Sequence, residues 1–258
     1  MAILPSDLWM VVEVSTSIVR IYTPEGFVIA ADGRNYNADT KTIISDSIQK
    51  LFPIERMDVR LAYTLTGTCE LTPKGSNEVI FDMLPWIHES IRAVAENKHK
   101  SLWHYAQAVS EALIDLPDHA SSSVLGDEQP TMIFFDGYYN GRPKRAHIKM
   151  FYDGQVPEVS TEELFPGRPV GVGSSEVNEV LKDKNGVLAK YRTPSLDLRE
   201  DERTTLSDAI DAARSWISAQ CSPEAQEIDA RCVAMGGQVL MGTITFRDGL
   251  QWIPYRPV

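Results

Sequence analysis

Segments with the alternating pattern of β-strands and segments with the period of amphipathic helices follow one another in blocks along this chain. Apolar and β-branched residues mark four early strand candidates, at 10–22, 27–31, 42–53 and 59–66. The first two are joined by Thr23-Pro-Glu-Gly26, whose proline and glycine are typical of a tight turn. These two segments therefore predict a hairpin.

Two amphipathic helices are predicted after these strands. From Asn77 to Glu96 apolar residues recur at steps of three and four, and Pro85 inside this run predicts a kink or a late start. Ser101 is a good N-cap for a second helix, because its hydroxyl can accept a hydrogen bond from an N–H group of the first turn. Pro117 is expected to end that helix.

Strand candidates and helix candidates also alternate in the second half of the chain. Strand candidates lie at 131–135, 146–152, 170–173, 239–246 and 250–253, a turn at 136–142, and helix candidates at 175–188 and 206–220. No long polar linker and no internal repeat divides the chain. The order of the blocks predicts a single layered α+β domain, with two sheets between helix layers.

Charge and hydropathy exclude several classes of function. The 258 residues carry a net charge of −11, which disfavours nucleic acid as a partner because a phosphate backbone needs a basic surface. A membrane is not expected either, since no stretch approaches the roughly 20 apolar residues that span a bilayer. The N-terminus lacks the basic and apolar regions of a signal peptide, so the sequence predicts a cytoplasmic protein.

Cysteine and histidine spacing gives no indication of a metal site. Cys69, Cys221 and Cys232 are too few and too scattered for a disulfide framework, and no pair has the spacing of zinc ligands. The five histidines show no such spacing. We therefore expect no metal and no cofactor.

The segment that begins at Thr16 combines several features in a distinctive order. Thr16 opens an apolar strand, a glycine-containing turn follows, and the next strand ends in Ala31-Asp-Gly-Arg34, which places Asp32 16 residues after Thr16. This segment resembles the start of a mature proteasome β subunit, which belongs to the N-terminal-nucleophile (Ntn) hydrolases. Further similar segments follow in the order of that family, at Lys50-Leu-Phe-Pro-Ile, Thr66-Gly-Thr-Cys-Glu70, Gly171-Val-Gly-Ser174 and Met235-Gly-Gly. The second of these resembles the family's small-residue turn, which leads into its first helix.

The resemblance implies a fold and a chemistry. The fold would be a four-layer αββα sandwich of two mainly antiparallel sheets between helix pairs, formed by residues 16–258. The nucleophile would be the Oγ of Thr16, and its own free α-amino group would be the general base. Residues 1–15 would be a propeptide or an N-terminal extension, and their removal would free that amine.

The resemblance also implies the remaining site residues. Lys50 would stabilise the Thr16 alkoxide, Asp32 would hold Lys50, and Ser174 would orient the amine. The backbone N–H of Gly67 would form the oxyanion hole, where one donor is worth about 3 kcal/mol of barrier. Leu65 and Cys69 would line the substrate pocket and favour apolar or small side chains.

Each of these residues also has a purely structural interpretation. Thr16 is β-branched and suits a strand without any catalytic role. Asp32 precedes Gly33, and the pair is typical of a turn. Lys50 could be a solvated charge at the end of a strand.

Three positions depart from the family pattern around the N-terminal nucleophile. Ser15 precedes Thr16, where self-processing β subunits usually have a glycine that lets the backbone twist for cleavage. Cys232 replaces an aspartate four residues before the double glycine, and Asp229 lies three residues too early to match it. Met235 replaces the serine directly before the double glycine.

Three functions remain open at this point. The first is a threonine-type peptidase that assembles with itself into a ring or barrel, takes peptide or unfolded-protein substrates and has a regulatory ATPase as a candidate partner. The second is a non-catalytic, proteasome-like scaffold that keeps residues 1–15. The third is a small-molecule amidohydrolase of the same superfamily. Cleavage of the bond between Ser15 and Thr16 separates the first from the second.

Overall fold

Two antiparallel sheets form the centre of the molecule. The computed structural model describes residues 9–11, 16–37, 40–56, 58–67, 70–73, 81–114, 131–150, 156–197 and 203–255. The first sheet contains, in spatial order, five strands: β13 (Pro169–Val172), β2 (Ile18–Thr23), β3 (Gly26–Ala31), β14 (Leu240–Thr245) and β15 (Gly249–Ile253). The second contains β12 (Glu158–Glu162), β11 (Arg142–Met150), β10 (Thr131–Tyr139), β7 (Val59–Thr66) and β6 (Leu51–Arg56).

Two smaller groups of strands flank these sheets. Strands β4 (Asn35–Asn37) and β5 (Thr42–Ser45) form an antiparallel ribbon. A three-stranded sheet joins β1 (Trp9–Val11), β8 (Glu70–Pro73) and β9 (Phe81–Asp82). Residues 9–11 are therefore paired to a strand that follows Gly67.

Helices cover one face of each central sheet. Helices α1 (Met83–Ala95) and α2 (Leu102–Ala112) share a hydrophobic core with the second sheet. Helices α3 (Ser175–Leu181), α4 (Leu206–Gln220) and α5 (Pro223–Ile228) share another with the first sheet. Burying apolar faces in this way is the main favourable term in folding. The structure is thus α+β with mainly antiparallel sheets, as the sequence predicted.

The two central sheets also contact each other. Phe27 and Ile29 of β3 share a cluster with Leu51 of β6 and Ala62 of β7. Alternate residues of β3, Val28 and Ala30, lie instead in the core with the helices. Both faces of β3 are thereby buried, which explains its uninterrupted apolar sequence.

Helix starts follow the capping rules that the sequence suggested. Ser101 is the N-cap of α2, and its hydroxyl accepts a hydrogen bond from the N–H of His104, as predicted. Helix α1 begins at Met83, so the late start predicted from Pro85 is confirmed. Pro85 lies in the first turn, where an N–H group has no intrahelical acceptor and its loss costs little.

Charged residues form a buried cluster between the sheets. Asp136 of β10 accepts hydrogen bonds from Arg20 of β2 at 3.3 Å and from Arg145 of β11 at 2.5 Å. Glu162 of β12 accepts from Arg20 at 3.2 Å and contacts the Nδ1 of His147 at 3.0 Å. Arg20, Asp136 and Arg145 are buried, so the cluster links strands of both sheets through charges that have little contact with water.

Two strand predictions were wrong because of tertiary contacts. The expected turn at 136–142 is a continuation of β10 to Tyr139, because the Asp136 carboxylate finds buried arginine partners inside the sheet. The expected strand at 42–53 is divided into β5 and β6. Between them, Ile48 donates to the carbonyl of Gly33 at 2.8 Å, which takes this segment out of strand pairing.

One helix is shorter than the sequence predicted, and a local polar side chain explains where it ends. The helix expected at 175–188 ends at Leu181, where Asp183 begins a turn by accepting a hydrogen bond from the N–H of Asn185 at 2.9 Å. Helix α5 and strand β12 lie in segments for which the sequence predicted neither a helix nor a strand. None of the helices in the described parts of the chain has the length and apolarity that a bilayer crossing requires.

We predict that Asp136→Asn lowers the free energy of unfolding by about 3–5 kcal/mol, because it leaves two buried arginines without their shared carboxylate. Urea denaturation monitored by circular dichroism measures this change. Asp211→Asn, which removes a half-exposed pair with Arg214, is the matched control and should change stability by less than about 1 kcal/mol. Equal effects of the two substitutions would contradict the proposed role of the cluster.

The Glu162 carboxylate should make stability depend on pH. Burial raises the pKa of Glu162, but the hydrogen bond from His147 and the charges of Arg20 and Arg145 outweigh it and lower the pKa from 4.5 to about 2. A lowered pKa means that the ionised group stabilises the fold above pH 4.5, and that this contribution is lost as the pH falls toward 2. The difference in free energy of unfolding between the native chain and Glu162→Gln should therefore shrink as the pH falls from 4.5 toward 2. Glu158→Gln, at the exposed end of the same strand, is the matched control for the loss of a carboxylate.

Candidate functional site

Three residues named from the sequence lie at the ends of neighbouring strands. Thr16 lies two residues before β2 and Asp32 directly follows β3. Because these strands form an antiparallel hairpin that pairs Ile18 with Ala31, the start of one and the end of the other are adjacent. Lys50 directly precedes β6 of the second sheet. The site therefore lies where the two sheets meet.

The Lys50 ammonium group connects these residues. Its Nζ donates to Asp32 Oδ1 at 3.0 Å, to the Arg34 carbonyl at 2.8 Å and to Thr16 Oγ1 at 3.2 Å. An ammonium has three N–H groups, and here each has an acceptor. Since Thr16 Oγ1 accepts from Lys50, its own hydroxyl proton must be directed elsewhere.

All three side chains are removed from solvent. Thr16 and Lys50 are each 3 % exposed and Asp32 is 1 % exposed. The interpretation of Lys50 as a solvated strand-end charge is therefore wrong. Burial of a charged pair is tolerated only when its hydrogen bonds are satisfied, and this pair meets that condition.

Asp32 is held by the backbone on both sides. Its Oδ1 accepts from the N–H of Ser17 at 2.8 Å, and its Oδ2 accepts from the N–H of Gly236 at 2.9 Å. The interpretation of Asp32 as a simple turn residue is therefore incomplete, because its carboxylate joins the start of β2 to a loop 204 residues away. These contacts fix the carboxylate independently of Lys50.

The double glycine brings that loop to Asp32. Gly236 and Gly237 have φ angles of 135° and 71°, where side chains are strained. A Cβ at Gly237 would lie 2.5 Å from the carbonyl oxygen of Asp46. Arg34 adds hydrogen bonds to the carbonyls of Val233 and Met235 at 3.0 and 3.2 Å. Glycine at both positions thus permits the close approach that the Asp32 contact needs.

Ser174 reaches the site through the pairing of β13 with β2. The register pairs Val172 with Ile18, so the antiparallel continuation brings Ser174 to the level of Thr16. Ser174 is buried and is the N-cap of α3, where its Oγ accepts from the N–H of Val177 at 3.2 Å. The same Oγ donates to Glu176 at 3.2 Å.

Asp229 also contacts Ser174, although it lies three residues before the position expected from the resemblance. Hydrogen bonds from Arg231, together with one that involves Ser174, lower the pKa of Asp229 to about 2. Asp229 caps the 3₁₀ helix Ala230–Ala234, and its carboxylate accepts a hydrogen bond from the N–H of Arg231 at 3.0 Å. Cys232 is buried nearby, and burial together with the Asp229 charge raises the pKa of its thiol to about 11.

The structure describes two of the other three predicted site residues. Gly67 follows β7 with a φ of 92°, a conformation that favours glycine. Leu65 is buried in the core between the second sheet and helices α1 and α2, and its place in a substrate pocket stays a prediction. Cys69 lies outside the described residues.

The segment after Gly67 departs from the expected path. Thr66-Gly-Thr-Cys-Glu70 was expected to lead into the first helix, but Glu70–Pro73 forms strand β8, and α1 begins only at Met83. Strand β1 pairs antiparallel with β8, with Val11 opposite Leu71 and Trp9 opposite Pro73. An extended segment that ends five residues before Thr16 is thus bound along the chain that follows Gly67.

Several contacts of the site could not be found from sequence motifs. The Arg34 carbonyl and the Gly236 N–H act through the backbone, which carries no residue-type signal. The double glycine was the available clue to the second of them. Within the described residues, no group of three His, Cys, Asp or Glu side chains forms a candidate metal site.

Comparison with solved structures identifies the fold. The chain is similar to Anbu (ancestral β-subunit) from Yersinia bercovieri, with a TM-score of 0.54 and 12 % identity over 92 % of this chain and 86 % of the other. It is also similar to an Anbu mutant from Hyphomicrobium sp. strain MC1, with a TM-score of 0.52 and 15 % identity over 93 % and 86 %. No protein-family model and no curated protein sequence matches it. The similarity shows a proteasome-like fold, and at this identity it concerns the fold alone.

A double-mutant cycle should show that Asp32 and Lys50 stabilise each other. We expect Asp32→Asn to destabilise the fold by about 3–5 kcal/mol, since it leaves a buried ammonium without a counter-charge. Lys50→Met should cost less, because Asp32 keeps the N–H groups of Ser17 and Gly236. The double variant should be more stable than the sum of the single losses predicts, by about 1–3 kcal/mol. Additive losses in urea denaturation would contradict the coupling.

Proposed function

We propose that this chain is a threonine-type Ntn hydrolase that cleaves peptide amide bonds with the hydroxyl of Thr16. One observation carries the proposal: the Oγ1 of a buried threonine lies 3.2 Å from a lysine Nζ that is itself held at 3.0 Å by a buried aspartate. A hydroxyl beside a positioned charge is the arrangement that activates a nucleophile. The proteasome-like fold adds support.

The reaction requires an amine at Thr16. In the intact chain the nitrogen of Thr16 belongs to the peptide bond with Ser15 and has no basic lone pair. Hydrolysis of that bond would release an α-amino group with an ordinary pKa of about 8, suited to proton transfer near neutral pH. Residues 1–15 would then act as a propeptide that keeps the enzyme inactive until it is removed.

The catalytic cycle would proceed through an ester. Thr16 Oγ bonds to the substrate carbonyl carbon while its proton passes to the α-amino group. The carbon–nitrogen bond then breaks, and the departing amine takes that proton. Water attacks the ester carbonyl in the second half, the acid product leaves, and Thr16 Oγ recovers its proton. No atom or electron is needed from a cofactor.

Lys50 and Asp32 would provide electrostatic stabilisation. The Lys50 charge favours the alkoxide form of Thr16, and the buried site strengthens this effect because the local dielectric constant is low. Asp32 holds Lys50 in place, and the backbone bonds to its carboxylate keep Asp32 itself in place. The Gly67 N–H would stabilise the oxyanion, and Ser174, supported by Asp229, would orient the amine.

Substrates would bind as extended peptides. The pairing of β1 with β8 demonstrates that the backbone after Gly67 can accept an antiparallel strand. We infer from the helix-covered sheets that the fold stacks in four layers, αββα, over residues 16–258. A cytoplasmic ring or barrel of copies, with a regulatory ATPase as a further partner, would complete a self-compartmentalised peptidase.

The alternative is a proteasome-like scaffold that retains residues 1–15. The pairing of β1 with β8 favours it, because a segment bound to the body of the chain resists release. Ser15 in place of glycine favours it as well, since cleavage needs an unusual backbone twist at this bond. In a scaffold, Lys50 and Asp32 would serve stability alone.

Intact mass and one substitution separate these functions. We predict that the purified full chain loses residues 1–15 during incubation at neutral pH and then hydrolyses fluorogenic peptide amides, and that Thr16→Ala abolishes both events. Ser17→Ala, next to the nucleophile, is the matched control and should keep both. Retention of the full mass without hydrolysis would favour the scaffold, and hydrolysis by Thr16→Ala would rule out the proposed nucleophile. Turnover of small free amides but not of extended peptides would instead indicate an amidohydrolase.

A further inference from the structure

A buried glutamine at the end of α4 contacts the backbone of Ser174 at two points. Gln220 is fully buried, and its Oε1 accepts from the N–H of Ser174 at 3.0 Å. Its Nε2 donates to the Ser174 carbonyl at 3.2 Å and to Asn178 Oδ1 at 2.9 Å. One side chain thus satisfies both backbone groups of a residue 46 positions away in sequence.

The neighbouring sequence makes room for this contact. A Cβ at Gly173 would lie 2.9 Å from Gln220 Oε1 and 3.0 Å from Trp216 Cη2, one helical turn earlier on α4. A Cβ at Gly171 would lie 2.6 Å from the same indole ring. Glycine at both positions lets α4 approach the end of β13, which brings the Gln220 amide within hydrogen-bond distance of Ser174.

The two-point contact fixes the direction of the Ser174 side chain. With its N–H and carbonyl both held, Ser174 cannot rotate about its backbone without breaking buried hydrogen bonds. Its Oγ is left to the groups around it, the N–H of Val177 and the carboxylates of Glu176 and Asp229. The position of that hydroxyl therefore depends on the Gln220 amide, which holds the backbone that carries it.

We propose that Gln220 is a positioning residue for the reaction, acting through Ser174 to hold the amine of Thr16 in line with its hydroxyl. This inference rests on the proposed function, because Ser174 has a partner to orient only if the amine is freed. Small displacements of catalytic groups cost up to about a hundredfold in rate. Loss of the Gln220 hydrogen bonds to Ser174 should accordingly reduce kcat. The contacts with an extended peptide, and therefore KM, should stay nearly unchanged.

Gln220→Met and Gln220→Glu test the proposal in the processed full-length protein. The methionine has similar volume but no hydrogen bonds, and we expect kcat to fall by about tenfold to a hundredfold with KM within about threefold of the native value. The glutamate keeps the acceptor for the Ser174 N–H but loses the donor. Protonation restores one O–H donor, so kcat of Gln220→Glu relative to native should rise as the pH falls, while that of Gln220→Met should not.

Thr205→Ala is the matched control, because it removes the N-cap at the far end of α4 and costs about 1 kcal/mol without touching Ser174. It should keep native kcat. If Gln220→Met does not fold, Gln220→Glu, which preserves shape, carries the test through its pH profile. Native kcat in both Gln220 variants, with Thr16→Ala inactive, would overturn this inference alone. Activity in Thr16→Ala would overturn the proposed function, and this inference with it.

Discussion

The carboxylate of Asp32 is the point on which the arrangement of this site depends. It accepts hydrogen bonds from Lys50, from the N–H of Ser17 and from the N–H of Gly236, and so joins the second sheet, the first strand of the central hairpin and a distant loop. A buried carboxylate without such partners would cost several kcal/mol. Each of the three segments is therefore held in place by the same electrostatic requirement.

The fold supplies two further supports from opposite sides of Thr16. Between the sheets, Asp136 draws Arg20 and Arg145 together and links β2 to the second sheet. On the helix side, Gln220 and Asp229 both act on Ser174, one through its backbone and the other through its hydroxyl. Thr16 thus lies two residues before a strand whose neighbours on both faces are fixed by buried polar contacts, a suitable condition for precise chemistry.

Much of this molecule was predictable where the signal is local. Helix α4 was predicted with its observed bounds and the cap of α2 at Ser101, because periodicity and capping depend on neighbouring residues. The continuation of β10 through Asp136 was not predictable, since an aspartate inside a strand is unfavourable until its arginine partners, on other strands, are known. The strand β8 after Gly67 was missed for a similar reason, because β1 and β9 pair with it.

The sequence by itself determined the alternation of strands and helices, and its resemblance to a proteasome β subunit singled out Thr16, Asp32, Lys50 and Ser174. These residues lie far apart along the chain, so only the tertiary structure could decide that Lys50 lies between Thr16 and Asp32 and is shielded from water. The tertiary structure alone also supplied Gln220 and the Gly236 N–H. Their roles depend on where a backbone group lies in space, and spacing in the sequence does not encode that position.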